Sequence, residues 1–364
     1  MLYLDNAATT PMRPEAVEAL QSFADFGNPN GMHAISRAAK NAMEEAREQA
    51  AALIGAARPT EIVFTGGGTE ADNLAVTGAY LARPGGVVVG ATEHKAVLES
   101  AKICERLGSD VIVTDHIAEA VGPDTTLVSM MLVNNETGAV LPVDQVVEAV
   151  KSINPETLVH TDAVQGMLSE DIDVAVLGVD MLSLAAHKFG GPKGVGLLYV
   201  RDGTDLEPVI RGGGQEMGRR SGTQNPMGIV SMVAAMAATV ADRAAFRERV
   251  GAIRDTFEFE LASRIPDLEP TTPDSRTPQH AHLRLPNTIS ETTLILMDQA
   301  GLCAAAGSAC QSGAIEVSHV LKAMGWEKRA AGEAVRFSFG WQSEMEDATR
   351  AAKIVADVWE RAQL

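Results

Sequence analysis

The sequence is poor in cysteine and in positive charge. Three cysteines, Cys104, Cys303 and Cys310, are spread over 364 residues. They are too few and too uneven for the disulfide framework of a small secreted domain, and a reducing cytoplasm is the expected setting. Thirty Lys and Arg stand against 48 Asp and Glu, a formal net charge of −18. That balance argues against general nucleic-acid binding, because phosphate has to be neutralised by cations. No apolar run reads as long enough to span a bilayer. The start, Met1-Leu-Tyr-Leu-Asp5, lacks the basic region and apolar stretch of a secretory signal. No metal site is expected. What remains is ordinary for a globular protein, 46% hydrophobic and 21% charged residues, with length enough for two domains or one large domain with an appendage.

From about Arg13 to Arg201, strand-like runs alternate with helix-like segments. The runs are 61–66, 87–92, 111–114, 126–133, 158–164, 181–186 and 194–200. Several are nearly continuous in Val, Ile, Leu and Met, as expected of strands covered on both faces. Helices are expected over 37–54, 96–107 and 143–153. The alternation predicts a doubly wound α/β sheet. A long helical pattern, 228–263, leads out of it, and the proline-containing stretch 266–278 reads as a loop. Short alternating segments at 282–285 and 335–339 and a last helix over 344–362 predict a smaller α+β domain. The expected division is 13–245 for the large domain, with 1–12 and 246–364 forming the small one.

Candidate chemistry lies at the ends of the strand-like runs. Met181 to Ala186 stops at His187-Lys188, followed at once by Phe-Gly-Gly-Pro. An ammonium at a buried strand end is costly. It is carried to solvent on its stem, paired, or used as a nucleophilic amine, as in a Schiff base with pyridoxal phosphate. Phe64-Thr-Gly-Gly-Gly68-Thr69 runs from a strand into a helix expected to open at Thr69. Helix N-termini with glycines suit phosphate, although the spacing matches neither the dinucleotide fingerprint nor the P-loop; a plain capped turn is the alternative.

His160-Thr-Asp162-Ala-Val-Gln165 ends another run. Asp162 either faces a ligand at the sheet edge, where a carboxylate would keep a pyridine nitrogen protonated, or caps the next segment. Gln165 could donate to the same ring. His94, in Thr92-Glu-His94-Lys95, either stacks on a cofactor and moves protons or simply starts a helix. Asn135, in Asn134-Asn135-Glu136-Thr137-Gly138, closes a further strand. Cys310, in Gly307-Ser-Ala-Cys310-Gln-Ser-Gly313, lies among small residues that suit an accessible nucleophilic thiol. Cys104 and Cys303 read as packing residues. Arg336, in Val335-Arg-Phe-Ser338, either clamps a carboxylate with two hydrogen bonds or makes a surface ion pair.

Taken in order, these motifs resemble the cysteine desulfurases of the NifS/IscS type, within the class V aminotransferase group of pyridoxal phosphate enzymes. The likeness also takes in Tyr3-Leu-Asp-Asn-Ala-Ala-Thr-Thr-Pro11, Phe26-Gly-Asn-Pro29 and Gly212 to Thr223, and so spans nearly the whole chain. It implies the PLP-dependent transferase fold type I: a mostly parallel seven-stranded sheet in a large domain plus a smaller α+β domain. It implies pyridoxal 5'-phosphate as cofactor, held covalently by Lys188, which also moves the Cα proton. Asp162 would meet the ring nitrogen, Gln165 the phenolic oxygen and His94 the ring face. Gly68 and Thr69 would bind phosphate with His187 nearby, and Thr223 would reach the phosphate of the second subunit of a homodimer. Asn135 and Arg336, with Asn28, would bind the carboxylate of L-cysteine. Cys310 would take the sulfur as a persulfide, releasing alanine, and pass it to a protein acceptor such as an iron–sulfur scaffold. No nucleic acid or membrane is expected as partner. A lyase for selenocysteine or another β-substituted amino acid and a non-catalytic sulfur carrier are the alternatives; Lys188, Asp162, His94 and Cys310 speak against the second. One departure stands out. Relatives usually have a phosphate-binding serine two residues before the His-Lys pair, where this chain has Ala185.

Overall fold

The computed structural model describes residues 1–23, 27–271, 275–307 and 318–363. Among them, β1 (Leu2–Tyr3) opens the chain, and β2 (Ile62–Thr65), β3 (Gly86–Val89), β4 (Val111–Val113), β5 (Thr125–Ser129), β6 (Leu158–Asp162), β7 (Met181–Ala185) and β8 (Gly196–Val200) follow. Later come β9 (Glu269–Pro270), β10 (His280–Arg284), β11 (Leu302–Cys303) and β12 (Ala334–Ser338). The chain divides into two compact units, 11–132 with 141–241, and 1–10 with 133–140 and 242–364. The segment 133–140, which lies within the large domain of the sequence division, falls in the second of these units.

The first unit holds a seven-stranded sheet in the order β2-β8-β7-β6-β5-β3-β4. Each of the seven apolar runs carries one of its strands. Pairings from β7 through β6, β5 and β3 to β4 are parallel, and β8 runs antiparallel to both β2 and β7. Every residue of β5, β7 and β8 is buried, because helices cover both faces of such a sheet. Against it pack the helix Gly68–Ala82, rich in small residues, and the amphipathic helix Lys95–Arg106. At Gly78 a β-carbon would meet the carbonyl oxygen of Glu207 at 2.7 Å, so only glycine permits that approach. Cys104 is fully buried in this core and burial pushes its thiol up to about 11, consistent with a packing residue.

Arg47 and Glu216 form a buried pair that sequence patterning did not reveal. Arg47 donates from Nη1 and Nη2 to the two Glu216 oxygens at 2.8 and 3.0 Å, and again from Nη1 to the carbonyl of Ile62 at 2.7 Å. Glu216 also accepts from the Phe64 N–H at 2.9 Å and from Gln224 Nε2 at 3.0 Å. Backbone at Glu216 and Met217 has positive φ, 48° and 58°, a strained conformation for non-glycine residues. The ion pair over-determines that turn and ties the 215–224 segment to β2.

In the second unit, β12, β10 and β9 make an antiparallel sheet and β1 pairs in parallel with β11. Phe257 packs edge-on against Phe337 and Phe339, with centroids 5.0 and 5.6 Å apart. The stretch 266–278, expected to be all loop, contains the two-residue strand β9, paired to Leu283 and Arg284. The helix Ser290–Gln299 had escaped the sequence pattern because its apolar residues do not fall on one face: Met297 is buried while Ile295 is exposed.

The helix Pro226–Ala262 corrects one expectation. By length and mean hydropathy, 1.5 over an 18-residue window, it is apolar enough to cross a membrane. Half of that window is buried in the protein, with Ile229, Met232, Val233 and Met236 in its core.

Removing one partner of a buried ion pair leaves an uncompensated charge. Arg47→Ala should therefore lower the unfolding free energy by about 3–5 kcal/mol, read as a drop in urea midpoint. Arg47→Met combined with Glu216→Leu should lose markedly less.

Candidate active site

Two adjacent parallel strands and one helix end deliver the polar residues of the first unit to one place. Asp162 is the last residue of β6, and Lys188 closes the short 3₁₀ turn Ala186–Lys188 directly after β7. His94 stands at the N-cap of the helix Lys95–Arg106, where its Nδ1 accepts from the Ala96 N–H at 3.1 Å. It therefore starts a helix, as the plainer sequence reading held, while its ring remains exposed. Asp162 likewise accepts from the Val164 N–H at 2.9 Å, ordering the turn that follows. One donor atom each from Asp72, His94 and Asp162 lie within 4.8 Å of one another.

Asp72 was not anticipated. It sits on the buried face of the helix Gly68–Ala82, 1% exposed, and its Oδ1 has no hydrogen-bond partner among the described residues. Asp162 is 5% exposed, and Glu93, which accepts from the Met131 N–H, is 1% exposed. Burial raises the pKa of all three, most strongly for Asp72 and Glu93, and repulsion from Asp162 adds to the rise in both. For Asp162 the effect of burial is opposed by His94 and Lys188. Buried carboxylates so close together favour a cation in their midst.

Beneath them runs a buried polar chain across three strands. Ser129 Oγ lies 2.9 Å from His160 Nδ1, and His160 Nε2 lies 2.9 Å from Ser183 Oγ. Asp72 Oδ1 is 3.7 Å from the same Nε2, and a hydrogen bond from Ser183 to Asp72 draws that carboxyl back down. Burial pushes His160 down to about 3, so it is neutral. A polar histidine between Val159 and Thr161 in an apolar strand was the one available sequence signal.

The glycine turn meets the strand ends here. The helix begins at Gly68, one residue earlier than expected; Gly67, with φ 149°, takes the N-cap, and Thr69 is exposed in the first turn. A β-carbon on Gly68 would stand 2.9 Å from Val164 Cγ2 and 3.3 Å from Ala185 Cβ. Ala185 thus abuts the helix N-terminus, whose first N–H groups have no partner within the helix. Glu70 accepts from the Gly66 N–H at 2.9 Å and binds Arg220 at 2.7 Å; neither side chain was singled out from the sequence. His187 is half-buried and lowered to about 4, by burial and then by Lys188 and Lys193. Gln165 is buried. Thr223 and Asn28 are exposed; Asn28 accepts from Asn30, which donates to Gln224 at 3.1 Å.

In the second unit, Arg336 and Asn135 come together. Arg336 Nη1 donates to the Asn135 carbonyl at 2.6 Å and Nη2 to Asp5 Oδ1 at 2.9 Å. The buried Arg336 is therefore no loose surface charge. Cys310 lies outside the described residues.

The chain belongs to the aminotransferase class-V family, whose model matches residues 2–350. That family is PLP-dependent. The chain is 37% identical to the cysteine desulfurase IscS of Dictyoglomus turgidum, over 99% of this chain and 95% of that protein. It is 40% identical to a cysteine desulfurase of Gluconacetobacter diazotrophicus, over 98% and 93%. Among solved structures, a NifS-like protein superposes with a TM-score of 0.92 at 34% identity, covering 99% of both chains. SspA in complex with cysteine superposes at 0.81 and 32%, covering 93% of this chain and 99% of that one. The resemblance in the fold type I sheet and in the overall family thus holds along the whole chain.

The pKa of His160 carries a pH dependence. Its folded value, about 3, lies below the ordinary 6.5, so the unfolded chain binds the proton between those values and stability falls as pH falls through that window. The raised carboxyls act in the opposite sense. His160→Gln should therefore show a shallower loss of unfolding free energy than the parent from about pH 6.5 downward; parallel curves would refute the assignment.

Proposed function

We propose that this chain is a cysteine desulfurase that converts L-cysteine to L-alanine and carries the sulfur as a persulfide on Cys310 to a protein acceptor. The observation that carries the reading is the convergence of Asp162 with Asp72 and His94, one donor atom of each within 4.8 Å of the others, while Lys188 draws the Asp162 carboxyl down. The residues fit pyridoxal 5'-phosphate. Buried carboxylates, one with an oxygen that has no hydrogen-bond partner among the described residues, suit a cationic ring nitrogen, and the glycine turn before Gly68 suits a phosphate.

In this reading Asp162 keeps the ring nitrogen protonated, Gln165 donates to the phenolic oxygen, and His94 lies against the ring face. Gly68, Thr69 and His187 bind the phosphate, and Thr223 does so from the second subunit of a homodimer. When bound, the cofactor supplies an electron sink that makes the substrate Cα–H acidic and its C–S bond cleavable. Lys188 would hold the cofactor, and its amine would move the substrate Cα proton. Arg336 and Asn135, with Asn28, bind the substrate carboxylate. The Cys310 thiolate attacks the substrate sulfur. An S–S bond forms as the C–S bond breaks, and the electron pair left on carbon takes up a proton, giving the methyl group of alanine. The full-length likeness to cysteine desulfurases and the cysteine-bound relative support this assignment. An iron–sulfur scaffold is the proposed acceptor, and the cytoplasm the proposed compartment.

Incubation with cysteine followed by mass spectrometry should find alanine and a persulfide on Cys310. Cys310→Ala should keep the visible cofactor absorption and its response to cysteine while producing no sulfide; normal sulfide release would refute the role. Ala185→Ser restores a hydroxyl at the helix N-terminus. It should tighten cofactor retention by about 1 kcal/mol, about fivefold in dissociation constant, measured by titrating the apoprotein with the cofactor.

A further inference from the structure

Glu136 follows Asn135 in the turn that receives Arg336, and it is 1% exposed. The Asn134 side-chain oxygen accepts from the Glu136 and Thr137 N–H groups, both at 2.9 Å, which fixes the turn. Two distant parts of the chain meet the Glu136 carboxylate. Ser318 Oγ donates to its Oε2 at 2.5 Å while also accepting from the Leu321 N–H at 3.2 Å. The backbone of Gly307 passes so close that a β-carbon there would stand 2.2 Å from the same Oε2. Just before Gly307, Ala305 exchanges backbone hydrogen bonds with Arg336 at 2.6 and 3.1 Å. All these residues belong to one compact unit.

Gly307 and Ser318 are the described residues on either side of the segment that carries Cys310. We propose that Glu136 is a positioning residue that fastens both ends of this segment, and so sets where the Cys310 thiol can reach. The short arm is decisive. Cys310 lies three residues beyond Gly307 and eight before Ser318. Three residues of extended chain span at most about 10–11 Å, so the position of Gly307 bounds where the thiol can travel. The same turn holds the carboxylate-binding arginine through Asn135 and the cysteine arm through Glu136, which ties the two to one frame.

The inference rests on the desulfurase reading, and the test separates the two. In the holoenzyme, Glu136→Ala, Gly307→Ala and the milder Ser318→Ala are compared for three readouts: the rate of Cys310 persulfide formation, the cysteine-induced change in the visible spectrum, and the rate of Cys310 alkylation by iodoacetamide without cysteine. Gly307→Ala and Glu136→Ala should slow persulfide formation by about tenfold or more, the scale expected of an ångström-level misplacement, and should change the alkylation rate. The amplitude of the spectral change should persist. Ser318→Ala should have the smaller effect, and Glu136→Gln, whose amide oxygen still accepts from Ser318, should recover most of the rate. Wild-type rates of persulfide formation and alkylation in both Gly307→Ala and Ser318→Ala would overturn the proposal, even if Glu136→Ala failed to fold. If the parent protein formed no Cys310 persulfide, the desulfurase reading would fall, while the alkylation rates would still report on the fastening.

Discussion

The burial of negative charge at the carboxyl edge of the parallel sheet governs the first unit. Asp162, Asp72 and Glu93 are nearly inaccessible, and three ionised carboxylates cannot share such a place without opposing cations. His94 and Lys188 answer part of that demand. Burial answers the rest by raising the pKa of each carboxyl, most strongly for Asp72 and Glu93. The neutral His160, bonded on both sides by serines, lets polar atoms run through the sheet interior without adding another charge.

A second constraint is close backbone approach. A β-carbon on Gly68 would crowd Val164 and Ala185, and one on Gly307 would displace the Glu136 carboxylate. In both cases the glycine brings a segment against a functional neighbour, a helix N-terminus in the first unit and a carboxylate in the second. The Arg47–Glu216 pair does comparable work by charge, holding a strained turn next to β2.

Much of the architecture was legible because buried parallel strands write themselves as continuous apolar runs; all seven strands of the large sheet fall on such runs. Boundaries shifted by one to four residues: the helix expected from 37 begins at Ala34 under the cap of His33, and the run 126–133 is strand only to Ser129. The short strand Glu269–Pro270 and the helix Ser290–Gln299 were hidden because neither carries a regular apolar period. The residues that would touch cofactor or substrate were readable as motifs at strand ends. Those that hold them, Asp72, Glu93, His160, Glu70, Arg220 and Glu216, were not, since one polar residue in a helix or strand looks the same whether it faces solvent or a partner far along the chain.

Sequence alone determined the α/β class, the strand-end placement of Lys188 and Asp162, and the absence of a hydroxyl at position 185, because these depend on residue type and local period. Tertiary structure alone decided that Asp72 joins Asp162 and His94, that His160 is neutral between two serines, and that Glu136 meets both Gly307 and Ser318. Each of those facts arises when residues tens or hundreds of positions apart are buried against one another, and burial, which sets both charge state and contact, is a property of the fold and not of any stretch of chain.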